Sequence, residues 1–462
     1  MKRSSLTLLL LAFMACNAKA GAPHANLRSR LITLEQAYDM ALATDQSIRI
    51  AYWEVRKANL LPWSALTRLG PQFSAGANFG RSGASTRIPT TVVTDVTSIS
   101  SNGTPTTRTE FQNFNSNSGS GSGSLSFEQP LIDLTVFPAY KFGKLSVDAA
   151  RLQHRFTIRE TLFGVVTAYY EVLKQQKLVE VNREALELAN EQLDLAEKRA
   201  RAEEVTRTDV LRAQVTVETA RQTLVGSENT LSLDRNTLSN ILNLAPNAPF
   251  EVAEPPSYPT ALPTFDDMLA RAYGSREDLR VKTIAIDQEI QVKNQVLGQY
   301  GPRVVLQANG QVANNTGSSR SRSESWSADV SIQIPILTGG QREIDYLTAQ
   351  RQIEETKVQR DQAAKTVEAD VKTAWLTVHT LEETLKASQI QVSAAEQAYK
   401  DLQVQYSLGA ATSVDVLSGL NDLNTARKNL TEQTYDYQVA LRNLEQVQGV
   451  FQQARVQKSK IR

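Results

Sequence analysis

Thr33-Leu34-Glu35-Gln36 returns 231 residues later as Thr264-Phe265-Asp266-Asp267, and Asp209-Val210-Leu211 returns 206 residues later as Asp415-Val416-Leu417. At the first spacing Ala41 meets Ala272, Ile48 meets Leu279, and Gly70-Pro71 meets Gly301-Pro302 without a gap. Near the second, Pro130 pairs with Pro335 and Ala220-Arg221 with Ala426-Arg427. Self-similarity of this kind fixes the architecture before any local reading does. The chain is a tandem duplication, with repeat 1 at residues 33–243 and repeat 2 at residues 264–450. The spacing changes between Gly80 and Leu125, a stretch rich in Ser, Thr, Asn and Gly, where an enlarged loop is expected in copy one.

Between the copies, residues 244–263 carry Pro246, Pro249, Pro255, Pro256, Pro259 and Pro263, which exclude a continuous helix. Phe250-Glu251-Val252 has room for one short strand. Each copy then reads as helix, strand, loop, strand, long helix, tip and helix.

In the long helix of copy one, Leu178, Val181, Ala185, Leu188 and Leu195 keep three-four spacing, and Leu186, Ala189, Leu193, Ala196 and Ala200 form a second seam. A two-stranded coiled coil needs one such stripe; two adjacent stripes need partners on both sides. The following helix repeats the pattern with Val210, Ala213, Val217, Ala220, Leu224, Leu231, Leu238 and Ile241. Its copy-two partner does so with Val416, Gly419, Leu423, Ala426, Leu430, Tyr437, Ala440, Leu444 and Val447. A helical bundle would show the same stripes. Length separates the two readings: residues 141–200 make about 90 Å of helix, as do residues 340–406, and a tube accommodates that where a compact domain does not.

Strands are expected at residues 71–80, 123–131, 302–313 and 326–336. Phe73, Ala75, Ala77 and Phe79 alternate with Gln72, Ser74, Gly76 and Asn78, and Leu125 and Phe127 alternate with Ser124, Ser126 and Glu128. Val304, Leu306, Ala308 and Val312 oppose Arg303, Gln307, Asn309 and Gln311; Ala328, Val330, Ile332 and Ile334 oppose Asp329, Ser331 and Gln333. Apolar-out, polar-in segments near ten residues suit a membrane barrel, although a sandwich alternates in the same way. Four strands cannot close around a pore, so closure calls for several chains.

Residues 1–20 read as an export signal: Lys2-Arg3, an apolar run from Leu6 to Ala15, then Ala18-Lys19-Ala20. The single cysteine, Cys16, is open to lipidation or to removal with the leader, and neither allows a disulfide. Without Lys2, Arg3 and Lys19 the chain has 47 basic against 49 acidic residues. No basic stripe is interleaved with aromatics, so nucleic acid is not an expected partner. No later stretch approaches the length of an apolar membrane helix, so a membrane-embedded form must be a β-barrel. His24, His154 and His379 lie far apart, and no metal spacing, phosphate loop or nucleophile arrangement is found. No cofactor and no catalysis are expected.

Tyr406-Ser407-Leu408-Gly409-Ala410-Ala411-Thr412-Ser413-Val414-Asp415-Val416-Leu417, continued by Asn424-Thr425-Ala426-Arg427, resembles the second periplasmic hairpin tip of TolC-like outer-membrane efflux proteins. The duplication, strands and helix lengths carry the resemblance over roughly residues 33–450. It implies a mainly α chain with membrane strands, forming a homotrimer with a twelve-strand β-barrel continued by an α-helical barrel. That is a passive exit duct for a tripartite efflux pump or type I secretion system, in the outer membrane and projecting into the periplasm. Its implied partners are outer-membrane lipid, a periplasmic adaptor and an inner-membrane pump of RND or ABC type.

Residue by residue, the resemblance puts Asp415 at a constricting carboxylate ring and makes Tyr406 and Asp209 the tether between hairpins. It puts Gly409, with Leu408, Ala410, Ser413 and Leu417, at the adaptor-docking tip, Gly409 in a turn open to positive φ. Ser418 and Ala411 depart from the family's second aspartate and tethering arginine. Glu203 replaces the first tip's glycine, with Arg201 and Arg207 near it and Arg207 as the substitute cation. Asp415 after Thr412-Ser413 also fits a helix-capping carboxylate, and Tyr406 fits plain core packing. Three converging carboxylates would attract cations. The alternative from another class is a periplasmic or surface coiled-coil scaffold or adhesin, which explains the helices but not the duplicated hairpins.

Overall fold

In this computed structural model the described residues are 30–93, 107–245, 249–256, 263–316 and 320–458. The leader, Cys16, Pro246 and Pro259 lie outside them. In chain order, β1 (Arg30–Ile32) precedes copy one, whose elements are α1 (Leu34–Thr44), α2 (Gln46–Ala58), α3 (Leu61–Leu66), β2 (Gln72–Val93), β3 (Thr107–Ile132), α4 (Val136–Arg201) and α5 (Arg207–Ile241). Then follow β4 (Phe250–Val252), α6 (Phe265–Ser275), α7 (Glu277–Gly298), β5 (Arg303–Thr316), β6 (Arg320–Gln333), α8 (Gln341–Ser407), α9 (Ser413–Val447) and α10 (Gln453–Lys458).

The copies begin with the same local signal. The Thr33 hydroxyl accepts from the Gln36 amide at 3.3 Å while Gln36 Oε1 accepts from the Thr33 amide, starting α1. Thr264 accepts from the Asp267 amide at 3.4 Å and starts α6. Each bond satisfies an amide that an uncapped helix leaves open. Contacts divide the chain into two units. One holds residues up to Ile50 with Arg155–Arg276 and Val367–Arg462; the other holds Ala51–His154 and Glu277–Thr366. The helices α4, of 66 residues, and α8, of 67, contribute to both.

The first unit carries a core of α1, α4, α5 and α9 side chains. Ile158, Leu162, Val165, Val166 and Tyr169 of α4 are fully buried beside Ala37, Ala41 and Leu238. Each large apolar side chain so enclosed contributes about 1.5–3 kcal/mol. Phe250-Glu251-Val252 is a strand: β4 pairs in parallel with β1, and the Tyr169 hydroxyl reaches the carbonyls of Ile32 at 2.8 Å and Ala253 at 2.5 Å. Both α4 seams are used in part. Leu178, Ala185, Ala189 and Ala196 are buried, while Leu195 is left exposed.

The second unit is built on a four-stranded antiparallel sheet in the order β2-β3-β5-β6. Its register lines the apolar residues up across every strand. Phe73, Phe127, Ala308 and Ala328 make one row; Ala75, Leu125, Gly310 and Trp326 make the next. Ser74, Ser126, Asn309 and Ser327 form the polar row between them on the opposite face. The apolar face is uncovered: Phe73 is 72% exposed, Phe79 88% and Trp326 84%. A contiguous exposed apolar surface of this kind marks a lipid or protein contact. Backbone crowding elsewhere in the unit requires glycine, since a Cβ on Gly143 of α4 would lie 2.7 Å from the Pro62 nitrogen.

The loop expected between Gly80 and Leu125 is largely strand. β2 and β3 run as one paired ribbon to Val93↔Thr107, well beyond the end of β5 at Thr316. Backbone ladders form whatever the side chains, and with Ser, Gly and Asn on both faces the ribbon lacks the alternation that announces a strand. β3 shifts register between Pro130 and Ile132, where proline cannot donate to the ladder.

Candidate functional site

The expected site residues gather at two helical tips in the first unit, built to one plan. After α4, Glu203 takes φ +60° and the Glu204 amide donates to the Arg199 carbonyl at 3.0 Å. After α8, Gly409 takes φ +77° and the Ala410 amide donates to the Gln405 carbonyl at 2.8 Å. Both are left-handed helix closures, 206 residues apart like the sequence repeats. The positive φ expected of Gly409 is present, and Glu203 adopts it too, at the steric cost a Cβ brings.

Each tip then restarts as a capped helix. The Thr412 hydroxyl donates to Asp415 Oδ2 at 2.6 Å, as does the Thr412 amide at 2.8 Å, while the Asp415 amide donates to the Thr412 hydroxyl at 3.3 Å. Thr206 and Asp209 repeat this at 2.7, 3.1 and 3.4 Å. The bonds from Thr412 hold the Asp415 carboxyl below the usual carboxylate range. Asp415 is exposed, so capping occupies part of its acceptor capacity and leaves the rest facing water.

Tyr406 and Asp209 are not joined by a hydrogen bond. The Tyr406 ring is buried, and its hydroxyl has no hydrogen-bond partner among the described residues. Asp209 Oδ2 is engaged by its own helix start, through the Thr206 amide and hydroxyl. The cation at Tyr406 is Arg199. Its guanidinium stands 4.2 Å from the ring centroid, and one amino group donates to the Tyr406 carbonyl at 2.8 Å. One heptad away, Gln192 donates to the Tyr399 hydroxyl at 3.0 Å, and burial pushes that phenol up. Arg207 is exposed and enters no ion pair among the described residues. Arg199 was missed in the sequence because its copy-two equivalent is Gln405. Tyr399 and Tyr406, seven residues apart, were the available signal.

Of the other tip residues, Leu408 is 77% exposed, Gly409 and Ala410 are exposed, and Ser413 and Leu417 are half-buried. Leu211, Val215, Val414 and Leu417 line a shallow, mostly apolar depression where α5 and α9 begin. Farther along, Arg427 of α9 bonds Glu396 of α8 at 2.8 Å and Glu184 of α4 at 3.2 Å. No cluster of His, Cys, Asp and Glu suited to a metal occurs among the described residues.

An uncovered apolar sheet with paired capped tips on long helices defines a class: a channel protomer of the TolC-like type. The chain belongs to the outer membrane efflux protein family, which it matches over residues 37–244 and 269–450. It therefore acts at the outer membrane. The efflux protein BepC of Brucella suis is 24% identical over 307 residues, spanning 64% of this chain and 65% of BepC. The alkaline protease secretion protein AprF of Pseudomonas aeruginosa is 22% identical over 348 residues, 71% of this chain and 70% of AprF. The fold is that of VceC of Vibrio cholerae, with a TM-score of 0.67 at 18% identity over 90% of this chain and 96% of VceC.

Proposed function

We propose that the chain is one of three identical protomers of a passive exit duct, serving a tripartite efflux pump or type I secretion system. The observation that carries this is the sheet of the second unit, apolar and exposed on one face with β2 and β6 at unpaired edges. In lipid, open edges are not tolerated and only closed barrels survive. Further copies supply the missing strands, and three copies give twelve. Residues 33–243 and 264–450 act as two repeats that each furnish one membrane hairpin and one helical hairpin.

The tips are the gate and the docking end. Asp415, with Asp209 beside its own cap, presents carboxylates at the narrow end of the duct. Tyr406 is the buried residue whose surroundings change on opening. Leu408, Gly409, Ala410, Ser413 and Leu417 meet a periplasmic adaptor, which links the duct to an inner-membrane pump. The name of AprF keeps a protein substrate within this reading beside the small molecules suggested by efflux. The experiment is fractionation followed by planar-bilayer recording. A heat-modifiable outer-membrane trimer that conducts ions is expected; a periplasmic monomer without conductance removes the proposal and favours the scaffold reading.

A further inference from the structure

Beyond the apolar belt, on the same face of the sheet, stands a group of arginines. The register of β2 is unbroken from Gln72 to Val93, so Arg81 and Arg87 share the face of Phe73 and Phe79. The register of β6 is likewise unbroken, so Arg320 and Arg322 share the face of Trp326 and Val330. All four side chains are exposed. Arg81 lies one pleat beyond Phe79, about 7 Å, and Arg322 two pleats beyond Trp326, about 13 Å. The opposite face at these levels carries Ser82, Ser118, Ser120, Ser321 and Ser323.

Little among the described residues neutralises this group. Arg322 pairs with Glu324 at 2.6 Å, the single carboxylate on that face at these levels among the described side chains. Arg87 lies 4.9 Å from the Phe111 ring centroid, and Arg81 and Arg320 enter no ion pair among the described residues. A guanidinium on a flexible apolar stem reaches from a hydrocarbon boundary to a phosphate and binds it through two parallel N–H donors.

We infer that Arg81, Arg87, Arg320 and Arg322 form a docking surface for lipid headgroups of the outer leaflet whose phosphate leaves them with a net negative charge. The inference rests on the membrane reading above: the strand ends leading to the helices face the periplasm, so the hairpin ends carrying the arginines meet the outer leaflet. Two features commit the surface to lipid rather than to protein. It lies on the same face as the lipid-facing belt, starting at Arg81 one pleat beyond Phe79, and its charge complements an anionic headgroup layer. Placement in the duct interior would serve a permeating anion, and the arginines are on the other face.

The test reconstitutes the full-length protein in vesicles of phosphatidylcholine with phosphatidylglycerol and measures motionally restricted spin-labelled lipid of each kind. One cation near a charged headgroup layer strengthens association severalfold, so the wild type should hold phosphatidylglycerol over phosphatidylcholine by about threefold or more. The quadruple variant Arg81→Gln, Arg87→Gln, Arg320→Gln, Arg322→Gln should bring the ratio near unity, and the quadruple Arg→Lys variant should keep most of the preference. Should the Gln variant fail to incorporate, the wild-type ratio must fall between about 0.05 and 0.5 M salt. An equal ratio in incorporated wild type, or one the Gln variant leaves unchanged, overturns the headgroup surface. Loss of preference to inorganic phosphate but not to chloride at equal ionic strength overturns it in favour of a free-anion site. A chain that never incorporates overturns the membrane reading instead.

Discussion

Arg199→Ala should loosen the contact between the two helical hairpins at the tip far more than any change to the Tyr406 hydroxyl. Arg199 makes a charge-assisted hydrogen bond to the Tyr406 carbonyl at 2.8 Å, worth about 1.5–3 kcal/mol. Its guanidinium also lies 4.2 Å from the ring centroid, an interaction of about 0.5–2 kcal/mol. The side chain is only 18% exposed, so solvent screens these contacts little. The two contacts share one group and do not add fully, which leaves about 2–4 kcal/mol, or roughly 30- to 1000-fold in the clasped-to-unclasped equilibrium. Amide hydrogen exchange over residues 402–412 reads this directly, and open probability in planar bilayers reads its consequence for the gate. Arg199→Ala should raise both, whereas Tyr406→Phe should match the wild type because the hydroxyl it removes bonds nothing. Equal exchange in Arg199→Ala and wild type, or an effect of Tyr406→Phe as large as that of Arg199→Ala, would refute the reasoning.

Glu203→Gly should stabilise the first tip by about 1 kcal/mol, because glycine takes φ +60° without a Cβ penalty; slower local exchange around residues 200–206 checks it. The Asp415 carboxyl titrates lower in the folded tip than in the unfolded chain, so its contribution is present above the ordinary carboxylate range. That contribution is lost as pH falls through the depressed value. Tip protection should therefore stay level from neutral to mildly acidic pH and drop only in strong acid, and Asp415→Asn should abolish that late drop. Gly143→Ala drives a Cβ to 2.7 Å from the Pro62 backbone and should cost about 1–3 kcal/mol of thermal stability. Gly419→Ala, which meets the flexible end of Leu402, should cost less in the same melt. If Asp415 lines the narrow end of the duct, Asp415→Ala should reduce cation selectivity in reversal-potential measurements.

Much of the fold was legible because its signals are local. Thr33, Thr206, Thr264 and Thr412 all stand three residues before a Gln or Asp that completes or supports the cap, and all four start helices. The period-two alternation of Phe73 to Phe79 and of Ala328 to Ile332 identified strands and their apolar faces, while the exposure of that face is seen only in the structure. The extended β2–β3 ribbon was not legible, because residues 113–124 are Ser, Asn and Gly apart from Phe114 and carry almost no apolar period. In this structure no hydrogen bond joins Tyr406 to Asp209. The Thr206 amide and hydroxyl, three residues away, both donate to Asp209 Oδ2.

The sequence by itself determined the duplication, the helix starts, the left-handed turn at Gly409, the apolar strand faces and the absence of a continuous helix through the proline-rich link. Each follows from neighbours a few residues apart or from spacing along one chain. Only the tertiary structure decided that four strands share one register, so that Phe73, Phe127, Ala308 and Ala328 make a single row. Only it paired Arg199 with Tyr406 across 207 residues and put four arginines beyond one edge of the apolar belt. Such pairings are chosen by which distant segments can bury apolar surface together and repay the entropy of closing the loops between them, a balance no local pattern records.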